Sequence, residues 1–252
     1  MNKIEKKWEY FGETNPYFAV STFDKFKSEN IDDAALIDFF ESGEEYVERI
    51  WQEIENNFQP NFQPRKAIDF GCGVGRITLP IAKRCETVVG VDISENMLKE
   101  ARKNSEKFDL NNVSFVKGVN ALTKVSGEFD FVHSFIVFQH IKPKIGEAVF
   151  KNFVEMLADE GIGVLHFTYS NNQSSLAQKI RFLIYRDFSW THKLRNFVRK
   201  KKEHLIPIYL YDLNRLLLIL QENNCHKCQI RFSQHGAEGA LLFFQKRKET
   251  LY

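Results

Sequence analysis

Four cysteines in 252 residues, Cys72, Cys85, Cys225 and Cys228, are too few and too scattered for a disulfide framework, and a chain this long folds without staples. Cys225 and Cys228 have the C-x-x-C spacing with His226 between them, but a structural zinc needs four ligands and no second pair stands at a suitable separation. The expectation is free thiols and no metal. No run of about 18 apolar residues occurs, and the opening MNKIEKKWEYFGETNPYF holds no apolar stretch of signal-peptide length. That predicts a cytoplasmic protein. Charge of one sign is lacking too: 35 basic and 33 acidic residues leave +2, so any electrostatic signal for a partner is local. Internal repeats and low-complexity tracts are missing. What remains, 43% hydrophobic and 27% charged, is the composition of a globular protein with a substantial core, and Phe is used 24 times.

Residues 1–58 read as a helical cover or lid, opened by Trp8, Tyr10, Phe11, Tyr17 and Phe18, with Ser42-Gly-Glu-Glu45 as a capping box before YVERIWQEIENNF. The stretch Gln59-Pro-Asn-Phe-Gln-Pro-Arg65 ends that helix and marks a boundary, so that residues 59–252 form the core. From Lys66, short strands and helices alternate: KAIDF, RITLPIAKRC, TVVGVD, SENMLKEARKNSEKF, VSFVKG, FDFVHSFIVF, KIGEAVFKNFVEML and GIGVLHFTY. Such alternation predicts βαβ units and a mostly parallel α/β sheet with helices on both faces. Ser94 is placed to cap the helix after the second strand. The pattern breaks at about 170–206, a helical insertion, before DLNRLLLILQEN and two closing strands.

Asp69-Phe-Gly-Cys-Gly-Val-Gly-Arg76 lies between a strand and a helix, and glycines at alternate positions let the backbone turn sharply against a ligand. The second strand ends at Asp92, where a carboxylate accepts both hydroxyls of a ribose. The spacing departs from the dinucleotide pattern G-x-G-x-x-G, because the third glycine comes one residue early and Arg76 takes the last place. An acid before the loop repels a pyrophosphate and attracts a sulfonium or ammonium centre, so a cationic nucleoside is the expected ligand.

At these residues the chain resembles the class I S-adenosylmethionine-dependent methyltransferases of the small-molecule type: IDFGCGVGRITLPIA and VVGVDISENMLKEAR look like that family's first two motifs and FDFVHSFIVFQHI like its fourth. The resemblance covers about residues 66–169. It implies a Rossmann-like, seven-stranded, mostly parallel sheet with an antiparallel last strand, and S-adenosyl-L-methionine as cofactor. It places the methionyl part along Asp69, Gly71, Cys72, Gly73 and Gly75, the ribose on Asp92, and the adenine near Ile93, Met97, Asn120 and Ala121. Ser134 and Phe135 are expected to line the cofactor. Asn120 stands where relatives often carry Asp.

Methyl transfer from a sulfonium is an in-line displacement that mainly needs alignment, so no acid or base is obligatory. His133, His140 and His235 are the candidate bases. His133 sits early in an apolar strand and reads as a structural hydrogen-bonding residue; His140, at a strand-to-helix turn, is the one placed to reach a substrate. Between Lys179 and Lys202, nine basic residues stand against one acid, Asp187, interleaved with aromatics. An anionic small-molecule acceptor, an acidic membrane surface and RNA all fit that segment, as does a solvated basic helix pair. No separate nucleic-acid-binding domain is evident, which favours a small acceptor.

Overall fold

The computed structural model describes residues 3–118, 127–170, 206–235 and 237–247. Helices α1 (Lys3–Thr14) and α2 (Pro16–Val20) open the chain and are followed by α3 (Asp33–Asn57). Asp32, not Ser42, caps α3: its side chain accepts from Ala35 N at 2.8 Å. The capping box expected at Ser42 is therefore corrected. One helix runs straight through, because Phe39, Phe40, Tyr46, Val47, Ile50, Trp51 and Ile54 fall on one continuous buried stripe. Ser42 Oγ instead donates to Phe39 O at 2.6 Å.

Seven strands follow: β1 (Lys66–Phe70), β2 (Thr87–Asp92), β3 (Val113–Lys117), β4 (Phe129–Ser134), β5 (Leu157–Ser170), β6 (Lys227–Gln234) and β7 (Glu238–Gln245). Between them lie α4 (Thr78–Ala82), α5 (Glu95–Lys107), α6 (Pro143–Met156) and α7 (Leu213–Glu222). The helix read from RITLPIAKRC is thus a single short turn. They form one sheet in the order β3-β2-β1-β4-β5-β7-β6, with β7 antiparallel to both neighbours. The Rossmann-like α/β expectation, including the antiparallel last strand, is what the structure shows. No helix among the described residues is long and apolar enough to cross a membrane.

The central strands are buried on both faces, and alternate residues serve two separate cores. Ile68, Phe70, Val132, Leu165, Phe167 and Phe244 pack under α6 and α7, with Phe150, Phe153, Leu216 and Leu220. Ala67, Phe131, Ile162, Val164 and Phe243 pack on the other face under Tyr46 to Ile54 of α3. A third cluster joins Phe26, Phe39, Phe40, Val74, Leu79 and Met97 to Trp8, Phe11, Tyr17 and Val20. Burying one such large side chain fully contributes about 1.5 to 3 kcal/mol, so the segment from Trp8 to Phe58 is packed into the molecule and is no loose appendage. The reversal of strand order between β1 and β4 opens a crevice at the carboxyl ends of these strands, where ligands of open α/β sheets bind.

Candidate active site

The loop after β1 turns through Gly71, Gly73 and Gly75, whose φ angles are +78°, +53° and +92°. Side chains rarely adopt such values, which explains the three glycines. Gly71 N and Cys72 N both donate to Val91 O, at 2.7 and 3.0 Å, which moors the loop to the end of β2. Two acids flank it, Asp69 buried and Asp92 half-buried. Asp92 Oδ2 accepts from Gly73 N at 3.0 Å and its Oδ1 from Ser94 N at 2.9 Å. Burial nevertheless raises the Asp92 carboxyl to about 6, the amides of Ser94, Gly73 and Ile93 opposing the rise and the charge on Asp69 adding to it. A carboxylate held this high gains from further donors, such as the two hydroxyls of a ribose would supply.

Asp69 is 3% exposed and its oxygens are engaged within the protein. Thr78 Oγ1 donates to Oδ2 at 2.5 Å and His133 Nδ1 to Oδ1 at 2.8 Å, while Tyr46 lies 3.1 Å from His133 Nε2. His133 is thus a buried link in a chain running from α4 through β1 and β4 to α3, in line with the structural reading of its position. Asp69 still borders the cleft, together with Val20, Gly71, Cys72, Arg76, Phe135 and Ile136. Ser134 Oγ donates to Phe70 O at 2.9 Å and is buried, so it braces β1 against β4. Phe135 lines the cleft. Cys72 is buried, and its thiol is pushed well up by burial and by the charges of Asp92 and Asp69, so it is no nucleophile. Met97 packs in the third cluster under α1–α3. Ile93 is half-buried beside Asp92. Asn120 and Ala121 lie outside the described residues, as does the basic segment 179–202.

His140 sits in a 3-10 turn, Phe138–His140, just after β4. Its Nδ1 is 3.1 Å from Pro207 O and its Nε2 is 3.1 Å from Gln139 Nε2. The carbonyl requires Nδ1 to carry the proton, which leaves Nε2 as acceptor for the Gln139 amide. Burial lowers the His140 pKa, and the Trp8 ring stands edge-on at 5.4 Å. Both nitrogens are therefore employed, and the ring forms a seat for α1. His235 lies at the β6–β7 turn against Phe135, with ring centroids 5.4 Å apart.

One functional residue has no local signature at all. Glu9 of α1 reaches the amino end of α5, where it accepts from Ser94 Oγ, Glu95 N and Asn96 N at 2.9, 2.9 and 3.1 Å, and pairs with Lys117 Nζ at 2.8 Å. Burial works against its charge, but these donors outweigh it and bring the carboxyl down to about 2. The helix dipole of α5 favours the same charge. Glu9 thereby pins α1 across the strand ends on which the ribose and adenine are expected.

Residues 67–161 match the family model described as "Methyltransferase domain". The segment is a class I methyltransferase domain. The whole chain superposes on magnesium protoporphyrin IX methyltransferase (ChlM) from Synechocystis with bound SAM, at a TM-score of 0.59 and 16% identity, over 98% of this chain and 100% of that one. Among curated proteins, the release factor glutamine methyltransferase of Buchnera aphidicola is 26% identical over 147 residues, 56% of this chain and 52% of that protein. The 23S rRNA (uracil(1939)-C(5))-methyltransferase RlmD of a Marinomonas species is 36% identical over 86 residues, which is 20% of its length. The chain thus spans about half or less of the curated relatives it matches, and what they share is the methyltransferase domain.

The cofactor of this domain class is S-adenosylmethionine, and the cleft fits it. Gly71 and Gly73 have φ angles that leave room for no side chain, the Asp92 carboxyl is held raised at the end of β2, and the acid of Asp69 borders the loop where a sulfonium and an ammonium would come to rest.

Proposed function

We propose that the chain transfers a methyl group from S-adenosylmethionine to a small-molecule acceptor. The observation that carries the reading is the pairing of the moored glycine loop with the raised carboxyl of Asp92, in a crevice that α1 and α2 cover. When bound, the cofactor supplies an electrophilic methyl group on a positively charged sulfur. The protein's part is alignment and exclusion of water. Asp92 holds the ribose, the loop amides and Asp69 orient the methionyl end, and Phe135 and Ile136 face the reacting side. His140 serves as the seat of the lid; it becomes a base only if the Gln139 amide turns away from Nε2.

A covered crevice suits a small acceptor better than a macromolecule, and ChlM, whose name gives a porphyrin, shares the fold over its whole length. A second reading, RNA as acceptor, draws on the similarity to RlmD and on the basic run 179–202. It predicts that RNA binding and turnover on RNA disappear together when Arg199, Lys200, Lys201 and Lys202 become Gln. The test of the main reading is calorimetry with S-adenosylmethionine and its demethylated product. Asp92→Ala should weaken both by about 30-fold to 150-fold, the loss of a pair of charge-assisted hydrogen bonds. Tight NAD binding with none of the sulfonium cofactor would overturn it.

A further inference from the structure

The cleft contains a cation that no carboxylate among the described residues pairs with. Arg76 follows the third glycine of the loop and lines the cleft beside Phe135 and Ile136. Its Nη1 donates to Ser42 Oγ at 3.3 Å, its Nε is buried with no partner among the described residues, and no carboxylate lies within 4.0 Å of it there. Asp69, the nearest acid in its field, already has both oxygens engaged by Thr78 and His133. Arg76 is half-buried, and an Nε–H held out of water without an acceptor is costly to keep, unless a ligand anion completes it.

The surroundings point to the same conclusion. Phe135 forms a floor on which the rings of His166 and His235 stand edge-on, with centroids 5.2 and 5.4 Å away. His166 is 1% exposed, its Nε2 shares a hydrogen bond with Ser233 Oγ at 2.9 Å, and its Nδ1 is buried with no partner among the described residues. Burial and the neighbouring His235 push the His166 pKa down to about 4, so the ring is a neutral polar group. This wall of one cation, two imidazoles and an aromatic floor stands over β4, β5 and the β6–β7 turn. Asp92, at the end of β2, is on the opposite side of the loop.

We propose that Arg76 binds a carboxylate of the acceptor, making the acceptor of this enzyme a carboxylic acid whose apolar part rests on Phe135. The inference rests on the methyltransferase reading above. A single guanidinium lining the cleft balances a monoanion, and its planar fork matches a carboxylate with two parallel N–H donors. Ser42 holds one arm of the fork in place, and the neutral imidazoles packed against Phe135 bring no competing charge. The cofactor carries a carboxylate of its own, so the experiment must separate the two sources.

The probe is benzoate, with benzamide as its uncharged counterpart, and the readout is the Nε–Hε resonance of Arg76 in arginine-labelled protein, assigned by its absence in Arg76→Lys. In protein saturated with S-adenosylhomocysteine, benzoate should shift this resonance and benzamide should not, and Arg76→Gln should weaken benzoate binding by about 10-fold or more. Affinity for S-adenosylhomocysteine should change less than about threefold in both variants, whose far-ultraviolet spectra and melting curves report that they are folded. If S-adenosylhomocysteine itself moves the resonance, loses about 10-fold or more in Arg76→Gln and abolishes the benzoate response, Arg76 serves the cofactor and the acceptor assignment fails. If neither ligand touches the resonance, Arg76 is a strut to Ser42 and the proposal fails. Should the wild-type protein take no S-adenosylhomocysteine, the methyltransferase reading fails separately, and the benzoate titration of the free protein still decides what Arg76 does.

Discussion

Glu9→Gln is the substitution that isolates the lid. The change keeps the size of the side chain and removes its charge, so Lys117 loses its partner and one amide nitrogen of Gln is turned toward donors at the start of α5. The fall of the Glu9 carboxyl from its ordinary 4.5 to about 2 corresponds to about 3 kcal/mol of preference for the charged form. Lys117 is 35% exposed, and solvent screening of that bond brings the expected cost to about 2 kcal/mol. The cost falls on the docking of α1 and not on the sheet, because the sheet cores contain no residue of α1. Hydrogen exchange read by mass spectrometry should therefore show amides of residues 3–20 exchanging about 30-fold faster while β1, β4 and β5 stay unchanged. The sign of the pH effect follows from the lowered pKa. The stabilisation is present in full above the unfolded value of 4.5 and is lost as pH falls toward 2. Unchanged exchange in 3–20, or the same acceleration everywhere, would refute the clasp.

Three further outcomes follow from the geometry. The raised carboxyl of Asp92 means that the free protein binds a proton more tightly folded than unfolded, so its stability falls as pH rises from about 4 through about 6, whereas cofactor affinity should rise over that range and level off above it; calorimetry at pH 5, 6 and 7 that finds constant affinity would exclude Asp92 as the ribose acceptor. Gly43→Ala should cost about 1 to 3 kcal/mol in urea unfolding, because the added methyl runs into the backbone carbonyl of Arg76, although Ala is the better helix former by about 1 kcal/mol; a stabilised variant would show that α3 and the loop are not in contact. Ile136, a β-branched residue at φ +60° on the rim of the cleft, carries backbone strain of about 1 to 3 kcal/mol, so Ile136→Gly should leave the melting temperature level or higher while weakening acceptor kinetics, and a clear loss of stability would show that its packing outweighs the strain.

The parts of the molecule legible in the sequence are those fixed over short stretches. The glycine loop, Asp92, the cap at Ser94 and the alternating strands depend on neighbours a few residues away, and each stands where the residues suggest. The start of α3 was misread because Ser-x-x-Glu has the form of a cap wherever it occurs. Here Gly43 follows Ser42 for close approach to Arg76, 33 positions further on, and no local pattern carries that information. Glu9 escaped for the same reason, since its partners are about 85 and 108 residues distant. Arg76 was noted only as a departure from a spacing; its isolation depends on Asp69 being engaged by Thr78 and His133, which a sequence does not show.

The contact between Gly43 and the Arg76 carbonyl bears on how the molecule could be divided. The loop's position is measured off against a 25-residue helix whose other residues lie in the same core as Ala67, Phe131 and Val164. A fragment beginning at residue 59 would have every motif of the donor site and none of the surface that sets its depth. Tyr46, the far member of the chain through His133 to Asp69, would leave with it. The boundary at the two prolines is a seam in composition that the mechanics of the molecule do not follow, and grafting a different amino-terminal segment onto this core would change the geometry of the loop as well as what covers it.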